Sequence, residues 1–154
     1  MTLPPQEPVA PAPPPKKKIL LVEDEANMME LLKYRLEENS YAVATAADGY
    51  AALNQVRAVK PDLIILDLML PKIDGYTICR LLKFNDDLRR IPVIILSARS
   101  TEEDIRRGLS LGADAFMTKP YESAVLLAKI TELLARDPDA PLPGDSPVAT
   151  QSPA

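Results

Sequence analysis

Three runs of four branched or aliphatic residues, Ile19 to Val22, Leu63 to Leu66 and Val93 to Leu96, constrain the fold more than any other feature of the chain. Each is shorter than a buried helix needs and carries no polar alternation. A strand that is apolar on both sides is covered on both sides, and such strands belong to parallel sheets with helices on each face. Each run also ends against a polar residue: Glu23-Asp24, Asp67 and Ser97.

The segments between the runs have helical period. Met28, Leu31, Leu32 and Leu36 mark a first helix ending about Asn39-Ser40, and Tyr41 to Ala46 reads as a second strand. Asp48-Gly49 opens a helix through Ala52, Leu53, Val56 and Val59 that Pro61 stops. After the strand at Leu63 comes a loop with Pro71, then a helix from Gly75 to about Asn85. Pro92 to Leu96 is the fourth strand, and Thr101 before Glu102-Glu103-Asp104 starts a helix that ends at Gly112. Ala115 to Thr118 is a short fifth strand reaching Lys119-Pro120, and Ala124, Leu127, Ile130 and Leu134 run along a last helix. Five strands alternating with five helices predict an α/β fold: a doubly wound parallel sheet, helices on both faces, right-handed crossovers.

Composition separates this middle from the ends. Of 16 prolines, seven lie in residues 1–15 and five in 138–154, while every Lys and Arg lies between Lys16 and Arg136. The ends are therefore expected to be a disordered proline-rich arm and tail flanking one domain at 16–137. Of the 22 acids, only Glu7, Asp139 and Asp145 lie in these ends, which leaves 19 acids against 18 bases in the middle. So even a balance gives no electrostatic case for direct nucleic-acid binding. No histidine is present, which excludes histidine-dependent triads and any phosphohistidine within this chain. The single cysteine, Cys79, forms no internal disulfide and reads as packing. No apolar run suggests membrane insertion, and a cytoplasmic setting is expected.

In doubly wound sheets the chemistry sits at the carboxyl ends of the strands. There this chain places Glu23, Asp24, Asp67, Ser97 and Lys119. Taken singly, each has an ordinary reading as a turn, cap or surface residue. Together, three carboxylates at one edge stay ionised only beside cations. Lys119 is one, and a hard divalent ion with oxygen ligands supplies the rest; Mg2+ suits a shallow wet site.

These residues carry a resemblance. Ile19-Leu20-Leu21-Val22-Glu23-Asp24, Leu63 to Pro71 with Asp74-Gly75, Ile94 to Ala98, and Gly112 to Phe116 with Lys119-Pro120 resemble the receiver domain of two-component response regulators, in order and spacing. The resemblance implies a flavodoxin-like sheet of order 2-1-3-4-5, and a stand-alone, chemotaxis-regulator-like protein. It implies that Asp67 accepts a phosphoryl group from a phosphohistidine of a sensor kinase or histidine phosphotransfer protein. It further implies that Glu23, Asp24, Asp67 and the Met69 backbone carbonyl hold Mg2+, for which Mn2+ can substitute. Ser97 and Lys119 then contact the phosphoryl oxygens, and the Lys119-Pro120 bond is cis. On phosphorylation Ser97 and Phe116 switch, altering a surface of helix 4, strand 5 and helix 5 that docks a downstream protein or a second copy. Phe116 lacks the hydroxyl of the Tyr found in some members; Glu23 and Ser97 stand where Asp and Thr are frequent. Met69 and Arg99 flank the acceptor and are expected to tune hydrolysis.

With only 18 residues after Arg136, the domain itself is expected to be the output, acting as a signalling protein rather than an enzyme. Three other readings compete. A flavin protein needs a Gly, Ser and Thr cradle after strand one, where Glu23-Asp24-Glu25 stands. An aspartyl-phosphate hydrolase resembling the haloacid-dehalogenase class needs a second Asp two residues after the nucleophile, where Met69 stands. A phosphorylation-independent adaptor would show the loss of an acid or of the lysine, and none is lost.

Overall fold

The computed structural model describes residues 15–136. The expected arm, through residue 14, and the expected tail lie outside them. Five strands, β1 (Lys18–Val22), β2 (Ala42–Ala46), β3 (Leu63–Leu66), β4 (Val93–Ser97) and β5 (Ala115–Thr118), form one parallel sheet in the order β2-β1-β3-β4-β5. The helices α1 (Ala26–Glu38), α2 (Gly49–Val59), α3 (Gly75–Lys83), α4 (Glu102–Ser110) and α5 (Ser123–Leu134) alternate with them.

Successive strand residues point to opposite faces, so each aliphatic run feeds two cores. Leu20, Val22, Ile64, Leu66, Val93 and Ile95 pack with α2 and α3 through Ala52, Val56, Ile78, Cys79 and Leu82. Ile19, Leu21, Ile65, Ile94 and Leu96 pack with α1 and α5 through Leu32, Leu36, Leu126, Ile130 and Leu133. The covered, purely aliphatic strands that the sequence predicts are therefore present, nearly all of their side chains out of water. Among the described residues no helix is long and apolar enough to cross a membrane.

Local chemistry fixes the helix starts. Asp48 accepts a bond from Ala51 N at 2.9 Å and Asp74 one from Thr77 N at 2.9 Å, each satisfying a first-turn amide. Thr101 and Asp104 close a reciprocal capping box on α4. Gly112, at φ 104°, makes the turn after α4 in a region open to glycine at little cost.

Several elements differ from expectation. The buried line of α5 is Leu126, Ile130 and Leu133; Leu127 and Leu134 flank it and Ala124 is exposed. The helix presents a narrow stripe to the sheet, and its leucine-rich sequence is compatible with two neighbouring stripes. Leu31, on the apolar line expected of the first helix, and Leu81 of α3 remain 49% and 45% exposed, because α1 and α3 each seat only one side on the sheet. Helix α3 ends at Lys83, two residues early, and β4 runs one residue further, to Ser97. That extension matters: Ser97 pairs with Thr118 and is fully buried, so its backbone is fixed by the sheet at the edge of the site.

Candidate functional site

Glu23 and Asp24 leave the end of β1, Asp67 the end of β3, and Lys119 the end of β5. Because β1 and β3 are hydrogen-bonded neighbours, with Val22 opposite Leu66, the acids that follow them meet at one edge. One carboxylate oxygen from each of Glu23, Asp24 and Asp67 lies within 4.8 Å of the others. Glu23 and Asp67 are buried; Asp24 faces solvent.

Lys119 reaches into this cluster. Its Nζ donates to Glu23 Oε2 at 2.8 Å and to Asp67 Oδ2 at 3.0 Å. Backbone amides hold the remaining oxygens: Glu25 N donates to Glu23 Oε1 at 3.2 Å, and Met69 N to Asp67 Oδ1 at 3.0 Å. The loop after Asp67 is tight. Gly75 N donates to Leu68 O at 3.0 Å, and a Cβ on Gly75 would stand 2.4 Å from Asp67 O, so only glycine allows α3 to start here.

The charges do not balance. Three carboxylates against one ammonium leave two negative charges in a half-buried crevice. Glu23 feels this: burial, then the charge of Asp67, lift its carboxyl above the usual range, against the opposing hydrogen bonds from Lys119 and Glu25. For Lys119, burial is the largest single influence and pulls downward, but the bonds and charges of Glu23 and Asp67 together outweigh it and raise the ammonium's pKa. A cluster of hard oxygen donors, two charges short of neutral and open on the Asp24 side, fits a divalent cation of the Mg2+ kind.

Ser97 and Phe116 sit on the neighbouring strands β4 and β5. Ser97 Oγ accepts from Arg99 N at 3.0 Å. The Phe116 ring packs beside Ile95 against Gly108 of α4, where an added Cβ would lie 3.1 Å from the ring. The Lys119–Pro120 peptide bond is cis. Met69, on the rim, exposes its side chain while its amide is held by Asp67.

The model of the family described as "Response regulator receiver domain" matches residues 19–131. The chain belongs to that family. Receiver domains are phosphoacceptors of two-component signalling, and their chemistry is on themselves rather than on outside substrates. Over 120 residues the chain is 44% identical to the alkaline phosphatase synthesis transcriptional regulatory protein PhoP of Bacillus subtilis, covering 78% of this chain and 49% of that protein. It is 43% identical over 120 residues to the phosphate regulon transcriptional regulatory protein PhoB of Klebsiella pneumoniae, covering 78% and 52%. The chain thus spans about half the length of the curated relatives it matches. Among solved structures, the receiver domain of a signal transduction histidine kinase from Syntrophus aciditrophicus matches with TM-score 0.73 and 43% identity, covering 77% of this chain and 90% of that one. The BeF3-activated receiver domain of Klebsiella pneumoniae RstA matches with TM-score 0.72 and 30% identity, covering 78% and 100%.

Two clusters in this receiver domain escaped the reading of its sequence. Tyr76 of α3, nearly buried, donates from its hydroxyl to the Asp104 side chain and backbone carbonyl, both at 3.1 Å, and its ring lies 4.1 Å below the Arg107 guanidinium. Asp104 also meets Arg99 Nε at 3.3 Å. At the opposite edge of the sheet, Asp114 binds Lys83 Nζ at 2.9 Å, Arg136 at 2.7 Å and Val93 N at 2.8 Å. The Thr101-x-x-Asp104 spacing was a legible signal for the capping box; Tyr76 and the Lys83–Asp114–Arg136 cluster had none, since their partners are distant in sequence.

Proposed function

We propose that Asp67 is the phosphoacceptor: an Asp67 carboxylate oxygen attacks the phosphorus of a partner's phosphohistidine, the P–N bond breaks, and the histidine keeps the bonding electron pair. The observation that carries this reading is the placement of Asp67, one oxygen held by Met69 N and the other by Lys119, inside a crevice two charges short of neutral. Glu23, Asp24, Asp67 and the Met69 carbonyl are the groups that would hold Mg2+ or Mn2+. When bound, such an ion draws off the charge that gathers on the phosphoryl oxygens. Lys119 and the Ser97 hydroxyl supply the fixed donors to those oxygens.

Phosphorylation adds charge at one buried point, and Ser97 with Phe116 carry the change to the face of α4, β5 and α5. That face docks a downstream protein or a second copy. A sensor histidine kinase or histidine phosphotransfer protein is the phosphoryl source, which places the reaction in the cytoplasm. The stand-alone, chemotaxis-regulator-like reading is tested by immunoblot of the native protein: a species near 16.9 kDa supports it, and one about twice as large overturns it.

The phosphoacceptor reading is tested by intact mass after incubation with acetyl phosphate or phosphoramidate. One added phosphoryl group that requires Mg2+ and is lost in Asp67→Asn is expected. No gain with either donor would favour a phosphorylation-independent adaptor.

A further inference from the structure

In the switch proposed above Ser97 moves on phosphorylation, so what holds it matters. Its hydroxyl is tied to the amide of Arg99, two residues into the β4–α4 loop. The Arg99 side chain is tied to Asp104 in the first turn of α4. Thr101, the cap of that helix, donates its hydroxyl to Asp104 Oδ2 at 2.7 Å and its amide to the same oxygen at 3.2 Å. Asp104 is thus the point on which the whole loop converges, and it is buried.

Asp104 is itself anchored from outside the loop. The Tyr76 hydroxyl reaches it from α3, and Tyr76 directly follows Gly75, whose backbone lies against Asp67 and Leu68. The Arg107 cation over the Tyr76 ring braces the same contact from the next turn of α4. Asp104 therefore links the segment that carries the acceptor to the segment that carries the switch hydroxyl, while contacting neither the acceptor nor the metal-binding acids. Capping α4 requires only the Thr101 pair; the tyrosine and arginine contacts are additional to that structural need.

We propose that Asp104, clamped by Tyr76, is a positioning residue that latches the β4–α4 loop in its resting place and so sets the rate at which Asp67 is phosphorylated. The proposal rests on the phosphoacceptor reading above. Moving Ser97 toward a phosphoryl group draws Arg99 after it and strains the Arg99–Asp104–Tyr76 chain. Loosening the chain raises the fraction of molecules whose loop is ready, and a small phosphodonor reads that fraction directly.

Tyr76→Phe removes one hydroxyl and keeps the ring under Arg107; Asp104→Asn removes the charge and keeps an acceptor for the cap. The time course of Asp67 phosphorylation by acetyl phosphate with Mg2+, followed by intact mass, is expected to quicken roughly two- to tenfold in each variant, the range one lost hydrogen bond allows. The double variant is expected to fall short of the product of the two effects, because both act through one contact. Tyr76→Phe keeps the proposal testable should Asp104→Asn fold poorly by circular dichroism. A rate unchanged or slowed in Tyr76→Phe overturns the latch. If the unaltered protein takes up no phosphoryl group, it is the phosphoacceptor reading that fails. Uptake by the unaltered protein with no quickening in Tyr76→Phe condemns the latch alone.

Discussion

The two edges of the sheet handle buried acid in opposite ways. At the amino edge, Asp114, with 1% of its side chain exposed, is bound by Lys83, Arg136 and the amide of Val93. Lys83 also donates to the carbonyls of Arg89 and Ile91, at 3.0 and 2.8 Å, so one ion pair ties α3 to the turn after it and to the start of β5. At the carboxyl edge, Glu23 and Asp67 share the ammonium of Lys119, and the Asp24 carboxylate adds a third negative charge beside them. The first arrangement is closed and stabilises the fold; the second is left short of positive charge. An uncompensated cluster of this kind suits a cation, and under the proposed function its ligands are a cation and a phosphoryl group.

Opening the closed edge should have the largest effect. Asp114→Ala leaves the Lys83 ammonium buried without its carboxylate, and should cost about 3–5 kcal/mol in urea unfolding. Asp24→Asn, at the open edge, should change the stability of the metal-free protein by no more than about 0.5 kcal/mol, since an exposed acid in a repulsive cluster supports nothing. Equal losses at the two edges would erase the distinction.

Asp104 sharpens the contrast, because it stands near the open edge but is satisfied like Asp114. The Thr101 hydroxyl first of all, then the Thr101 amide and the Tyr76 hydroxyl, hold its carboxyl below the ordinary value against a smaller upward push from burial. With the folded value below the unfolded one, Asp104 contributes stability that is present above the unfolded value, about 3.9, and is lost as pH falls through the depressed folded value. The gap in unfolding free energy between the protein and Asp104→Asn should therefore be constant near neutrality and shrink below about pH 4. A gap that widens with acid would reverse the sign of this account.

The sequence carried the sheet and its acidic edge for the same reason. Pure aliphatic strands point to a covered parallel sheet whose chemistry sits at the carboxyl ends of the strands, and the order implied by the resemblance to receiver domains brings the residues after β1, β3 and β5 together. That is why Glu23, Asp24, Asp67 and Lys119 were found without coordinates. The register of α5 was not legible, because Leu126, Leu127, Leu133 and Leu134 offer two stripes and only packing against the sheet chooses between them. Tyr76–Asp104 and Lys83–Asp114–Arg136 were not legible because a polar side chain does not announce a partner dozens of residues away. Cys79 was read as packing, and it is: it lies in the core, and burial pushes its thiol up to about 11.

With two negative charges beyond what Lys119 offsets, the carboxyl edge is a candidate cation site. Calorimetric titration of Mg2+ into the phosphate-free protein and into Asp24→Asn tests it most directly. One ion bound per chain and a marked loss of affinity in the variant, with the fold unchanged, are expected. Absence of binding, or equal binding by both proteins, would contradict it.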